Sequence, residues 1–200
     1  MPNSHDLGEH SIEVALSALS AALGATGISW MIIGGIAVIA RGVRRMTTDI
    51  DAVVRGDAIS IETLVTTLAE HGIVPRIDRA IEFAEVNLVL LLRHESSRVD
   101  LDVSFAWTNF ELEAIAACER TFYGKVIAPM ARAEDLVILK AMAARPKDIE
   151  DASALLLMNN TIDLQRVRRH LHDLATLADE PELEQGLESI IERVRSVRRK

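Results

Sequence analysis

One stretch restricts the folding of this chain more than any other: residues 31–54, MIIGGIAVIARGVRRMTTDIDAVV. Ser29 to Ile33 reads as a short buried strand that ends in Gly34-Gly35. Ile36 to Ala40 is apolar all round and reads as a short buried helix, and Thr48 to Val54 then alternates carboxylate and aliphatic residues. Period two is the mark of a strand, so Asp49 and Asp51 project from one face while Ile50 enters the other. Two like charges that close repel, and divalent cations with oxygen ligands offset the repulsion well.

The flanking residues suit the other end of such a ligand. Thr47 shares the acid face by parity and can meet a metal-linked water or a phosphate oxygen. Gly34 and Gly35 let the backbone approach a phosphate closely, and the helix after them offers free N–H groups. Polyphosphate at the glycines and metal at the aspartates make one continuous site. Arg45, in the cluster Arg41, Arg44 and Arg45, either steers an anion or merely flanks a buried strand.

The rest of the chain alternates helix and strand signals and then changes character. A first helix is expected from His10 to Leu23, stopped by Gly24 and Gly27, and a second from Ile59 to Glu70, closed by His71-Gly72. Glu85 to Arg93 and Arg98 to Phe105 read as a hairpin about residues 94–97. Asn109 to Cys118 reads as helix, and Thr121 to Ile127 as a strand or hairpin broken at Gly124. Beyond Pro129, four segments favour helix: Glu134 to Ala144, Lys147 to Met158, Leu164 to Leu174 and Pro181 to Val197. The expected class is α/β (α+β): a small mixed sheet flanked by helices over residues 1–128, then a helical region over 129–200.

A chain of 200 residues can bury a core without disulfides. Cys118 is the only cysteine and no Cys/His cluster suggests zinc, which fits a reducing, cytoplasmic setting. The longest apolar run, Val86 to Leu92 interrupted by Asn87, is too short to span a bilayer, and Met1 to Gly24 has no signal-peptide pattern, so no membrane association is expected. A net charge of −8 argues against nucleic-acid binding by bulk electrostatics, although Arg166, Arg168, Arg169 and His170, and Arg193 to Lys200, are locally basic. Trp30 and Trp107 are expected in the core or a cleft wall, Cys118 in the core, and His94 facing solvent.

The 31–54 segment resembles the signature of the DNA polymerase β nucleotidyltransferase superfamily: a glycine turn, a short helix, then two acids flanking an aliphatic residue. With Arg45-Met46-Thr47-Thr48-Asp49-Ile50-Asp51 it is closest to the AbiEii-type toxin nucleotidyltransferases. Arg98 to Val103 resembles their strand with a third acid, and Asp100 and Asp102 share one face of it. The following Thr108-Asn109-Phe110-Glu111 resembles a Thr-Pro-Phe-Glu run, with Asn109 in place of proline; its offset favours Asp102 over Asp100 without excluding either. Glu134 to Asp148, with Lys140 and Lys147-Asp148, is similar to the family's helical portion, whereas nothing family-specific marks the last forty or so residues.

The resemblance implies two-metal phosphoryl transfer from a nucleoside triphosphate, with two Mg2+ ions. Asp49 and Asp51 would bridge the metals, and Asp102 or Asp100 would complete the second metal position. Lys140 would contact the triphosphate, Asp148 would orient that lysine or a substrate group, and the C-terminal helices would close the cleft. The expected activity is transfer of a nucleoside monophosphate to an acceptor hydroxyl by the toxin of a bacterial toxin–antitoxin or phage-defence pair. Its acceptor would be tRNA or protein, and a cognate antitoxin its partner. Two other readings stand beside it: an inactive nucleotide-binding or partner-binding module, and a small-molecule, aminoglycoside-like nucleotidyltransferase.

Overall fold

The alternation at residues 49–54 folds as a strand. In the computed structural model, which describes residues 4–198, Asp49–Val54 is β2, following β1 (Trp30–Ile32). Ile50, Ala52 and Val54 are fully buried behind it, while Asp49 and Asp51 remain accessible. Five further strands complete the sheet: β3 (Ile73–Pro75), β4 (Val89–His94), β5 (Asp100–Phe105), β6 (Glu119–Tyr123) and β7 (Val126–Met130). Their order is β3-β4-β5-β2-β1-β7-β6. β2 pairs with β5 in parallel, as β1 does with β7, and the other pairs are antiparallel. The sheet is mixed, as the sequence suggested.

Helices flank this sheet: α1 (Ser4–Thr26), α2 (Gly34–Ala40), α3 (Ile61–Glu70), α4 (Ala80–Asn87) and α5 (Asn109–Ala116). α1 starts earlier than expected and runs through Gly24. Its stripe of Ala15, Leu16, Leu19, Ala22 and Leu23 has no exposure at all, and burial of that stripe outweighs one weak helix former. The expected strand at 85–93 begins only at Val89. Residues 85–87 finish α4, and Leu88 turns the chain in the left-handed region, with φ 55°. The Thr108–Glu111 run is a capping box on α5: the Thr108 hydroxyl oxygen accepts from the Glu111 N–H, and the Glu111 carboxylate accepts from the Thr108 N–H.

Three side chains depart from expectation. Trp30 is buried, but Trp107 is 57% exposed. His94 is 5% exposed rather than facing solvent, with Nδ1 2.7 Å from the Ser97 hydroxyl, and burial pushes its pKa down. Cys118 lies beyond the end of α5, half-buried, with Sγ 3.9 Å from the Trp30 carbonyl oxygen.

These elements form one unit, the residues up to Ala40 with Arg45–Ala131; Arg41–Arg44 and the chain from Arg132 onward form a second. The second holds α6 (Ala133–Ala143), α7 (Pro146–Met158), α8 (Leu164–Ala178) and α9 (Leu183–Arg198). Gly186 brings α9 against α6, where any Cβ would collide with the Ala141 carbonyl oxygen. Asp135, fully buried, is neutralised by Arg132 at 2.9 Å and Arg166 at 3.0 Å. Among the described residues no helix is long and apolar enough to cross a membrane.

Candidate active site

The parallel pairing of β2 with β5 sets Asp49 opposite Asp100 and Asp51 opposite Asp102. Adjacent strands lie about 4.8 Å apart, and paired residues of a parallel ladder point to the same side. Four carboxylates therefore share one face, with Ile50 and Leu101 buried behind them.

The glycine pair is shaped around this face. Gly34 has φ +61°, and a Cβ there would run into the Asp51 carboxylate. A Cβ on Gly35 would meet the Thr47 hydroxyl, with Arg45 Nη2 at 3.2 Å. Ile33 N–H donates to the Asp51 carbonyl at 2.9 Å, which holds the turn to the strand. Thr47 Oγ1 donates to Asp49 Oδ1 at 2.8 Å, and Arg45 Nε donates to the Met46 carbonyl at 3.1 Å. Gly34, Gly35, Arg45, Thr47, Asp49, Asp51, Asp100 and Asp102 are thus brought together in one unit.

Two arginines counter part of the negative charge, and sequence reading singled out neither. Arg93, on β4, forks onto Asp100, Nε to Oδ1 at 2.6 Å and Nη2 to Oδ2 at 3.2 Å. These hydrogen bonds hold the Asp100 carboxyl below the usual carboxylate range. Arg76 reaches Asp102 Oδ1 at 2.7 Å. The signals available in sequence were weak, since Arg93 needs the hairpin register and Arg76 sits just past a strand that had not been assigned. Among the described residues, no three His, Cys, Asp or Glu side chains are gathered as a metal-ligand set. The donors on the acid face are nevertheless hard oxygens, the kind Mg2+ takes alongside substrate phosphates and water.

A cavity of about 490 Å³ opens beside Thr47, bordered by Glu9 and Glu13 of α1 and by Phe122 and Tyr123 of β6. Burial pushes the Tyr123 phenol up, and the charges of Glu9 and Glu13 add to the effect. Glu9 and Glu13 carry no signal in sequence beyond an exposed helix face.

Lys140 and Asp148 lie in the helical unit. Lys140 is 9% exposed, and its Nζ contacts Asp148 Oδ1 at 2.6 Å and Asp151 Oδ2 at 3.1 Å. Arg145 Nε takes the other Asp148 oxygen at 2.6 Å. Burial raises the Asp148 pKa, but the hydrogen bonds from Arg145 and Lys140 outweigh it and leave the carboxyl below its ordinary value. Asp151 escaped sequence reading, although its spacing of three from Asp148 puts both on one face of α7.

Comparison with known proteins gives one family and several neighbours. The family described as "Nucleotidyltransferase of unknown function (DUF6036)" matches residues 16–191. No curated protein matches the chain. Among solved structures, ANT(2")-Ia in complex with adenylyl-2"-tobramycin is 19% identical with a TM-score of 0.55, over 78% of this chain and 92% of that one. A solution structure of the antibiotic-resistance factor ANT(2'')-Ia is 16% identical with a TM-score of 0.57, over 94% and 97%. An antigenic nucleotidyltransferase-like protein from Paracoccidioides brasiliensis is 19% identical with a TM-score of 0.52, over 90% and 93%. At these identities the likeness is one of fold.

Proposed function

The chain belongs to this nucleotidyltransferase family, and from that premise we propose that Asp49, Asp51 and Asp102 form the catalytic face on which a nucleoside monophosphate passes from an NTP to an acceptor hydroxyl. The observation that carries the reading is the residue-for-residue register of β2 with β5, which gathers acids from distant parts of the chain beside the Gly34–Asp51 contact. Asp100 is the weaker third acid, because Arg93 covers both of its oxygens.

Asp49, Asp51 and Asp102 would hold two Mg2+ ions, which when bound neutralise phosphate charge and favour ionisation of the acceptor hydroxyl. Gly34 and Gly35, lacking side chains, make room for the Asp51 carboxylate and the Thr47 hydroxyl where the polyphosphate would approach, and Arg45, beside Gly35, would meet its charge. Thr47 holds Asp49 by its hydroxyl and fixes that carboxylate in place. Asp102 Oδ2 lies free of Arg76 and is the oxygen this acid would give to a metal, while the acceptor proton passes to solvent. In the transfer, the acceptor oxygen bonds to the α-phosphorus, the bond from that phosphorus to the bridging oxygen breaks, and pyrophosphate leaves. Lys140, a triphosphate contact by resemblance, is held by Asp148 and Asp151 inside its own unit, and bracing that unit is the role we assign it.

Charge guides the choice of acceptor. The net charge is −8, and Arg166 is committed to Glu134 and Asp135, which leaves little bulk attraction for an RNA backbone. A protein or small-molecule hydroxyl fits better than tRNA. One neighbour of the same fold is seen with adenylyl-2"-tobramycin, a small molecule carrying a transferred nucleotide. The resemblance of residues 45–51 to the AbiEii-type signature favours a bacterial toxin or phage-defence setting.

The test is incubation with each labelled NTP, Mg2+ and separate RNA, protein and small-molecule fractions. Label should move to one fraction and fail to move with Asp49→Ala or Asp51→Ala. Mg2+-dependent NTP binding with no transfer to any fraction would instead identify a binding module.

A further inference from the structure

Asp102 is held by a cation that the sheet itself provides. Arg76 follows β3 near the sheet edge, where its N–H donates to the Leu91 carbonyl at 3.0 Å. Its side chain crosses β4 to reach β5. One nitrogen, Nη1, has three acceptors around its two N–H bonds: Asp102 Oδ1 at 2.7 Å, the Leu92 carbonyl at 3.1 Å and the Leu101 carbonyl at 3.2 Å, so at least one N–H is shared. Carbonyl oxygens on two strands thus help to hold the nitrogen that reaches Asp102.

The two arginine–aspartate pairs of the acid face are therefore unlike. Arg93 satisfies both oxygens of Asp100 in a fork, the geometry of a closed ion pair. Arg76 takes one oxygen of Asp102 and leaves the other. A carboxylate on a strand with no such anchor turns about its last bond and presents either oxygen, and that freedom is lost when it binds a ligand. An anchored one has already lost it.

We propose that Arg76 is a positioning residue for nucleotidyl transfer. By occupying Oδ1 it turns Asp102 so that Oδ2 alone faces the shared acid surface, which makes Asp102 the third acid and leaves Asp100 a structural one. The proposal rests on the reading of Asp49 and Asp51 as the centre of the site. It concerns geometry rather than charge alone, so a lysine, which is a point charge without the planar fork, restores only part of the effect.

The experiment compares Arg76→Ala, Arg76→Lys and Arg93→Ala, with Asp49→Ala as reference. Mn2+ affinity is read directly by electron paramagnetic resonance, transfer by kcat and KM for the NTP, and folding by thermal melting. Loss of a residue that orients a metal-binding carboxylate costs about 10–100-fold in metal affinity or activity. Arg76→Ala is expected to weaken Mn2+ binding and lower kcat by about that factor, with KM for the NTP changed by less than about threefold. Arg76→Lys should recover part of both, and Arg93→Ala should leave both near wild type.

Unchanged Mn2+ affinity and kcat in folded Arg76→Ala would overturn the proposal, and so would losses in Arg93→Ala that match those of Arg76→Ala. If Arg76→Ala does not fold, Arg76→Lys against Arg93→Lys decides the same question by Mn2+ affinity. If Asp49→Ala retains Mn2+ binding and transfer, the site itself has been misread. If Asp49→Ala abolishes both while Arg76→Ala does not, only the role of Arg76 falls.

Discussion

The Asp51 carboxylate occupies the space that a side chain at position 34 would need, so Gly34 and Asp51 fit each other as a pair. Gly34 also stands at φ +61°, which an L side chain adopts at a cost of roughly 1–2 kcal/mol. Gly34→Ala should therefore destabilise the protein by more than that backbone cost. The excess should shrink when Asp51→Ala is added, because the obstacle is then gone. A double-mutant cycle by urea denaturation checks it, with a coupling of about 1 kcal/mol or more expected. Additive effects would mean that the two residues do not compete for the same space.

Four carboxylates crowded on one face repel one another, at some expense of stability. Asp49→Asn should abolish transfer, by about 100-fold or more, while the melting temperature holds or rises. Parallel loss of activity and melting temperature would point to misfolding instead.

Much of this face was legible in the sequence because strand parity is local: Asp49 and Asp51 must share a side wherever β2 lies. The partnership with Asp100 and Asp102 was legible only through the family resemblance, since parity places each pair on a face but cannot choose the neighbour. Only the parallel pairing of β2 with β5 does so. Arg76 and Arg93 were hidden for the same reason, as each acts across strands. The start of β4 was misjudged because Glu85-Val86-Asn87 has no strong preference, and the left-handed Leu88 breaks the element where no glycine gives warning. The helices beyond residue 130 were plain, their apolar spacing being long and unbroken. Which polar residues they bury was not: Lys140 looks like a surface lysine until Asp148 and Asp151 are seen to converge on it.

That cluster predicts a large effect from one substitution. Lys140→Met would leave Asp148 with Arg145 alone and Asp151 without its lysine, both nearly out of contact with water. Removing one partner of a buried ion pair typically costs about 3–5 kcal/mol, and chemical denaturation should show a loss of that order. A change below about 1 kcal/mol would mean that water reaches the cluster.

The same carboxylate gives a pH dependence of known sign. The folded pKa of Asp148 lies below the value of about 3.9 expected for an unfolded aspartate, so its contribution is fully present above that value. It is lost as pH falls through the folded pKa. The stability difference between wild type and Asp148→Asn should be constant above about pH 5 and should narrow below about pH 4. A difference that does not vary down to the acid transition would show that Asp148 is not held in its charged form.

The route of the chain from β2 to β5 has a consequence for biosynthesis. Parallel neighbours cannot be joined by a tight turn, and about fifty residues separate Asp51 from the Asp102 it faces. While the ribosome is still making that crossover, the first two acids have no counterpart, and a nascent or truncated chain ending before β5 carries no complete acid face. The four-acid face is thereby incomplete until most of the first unit has emerged and closed.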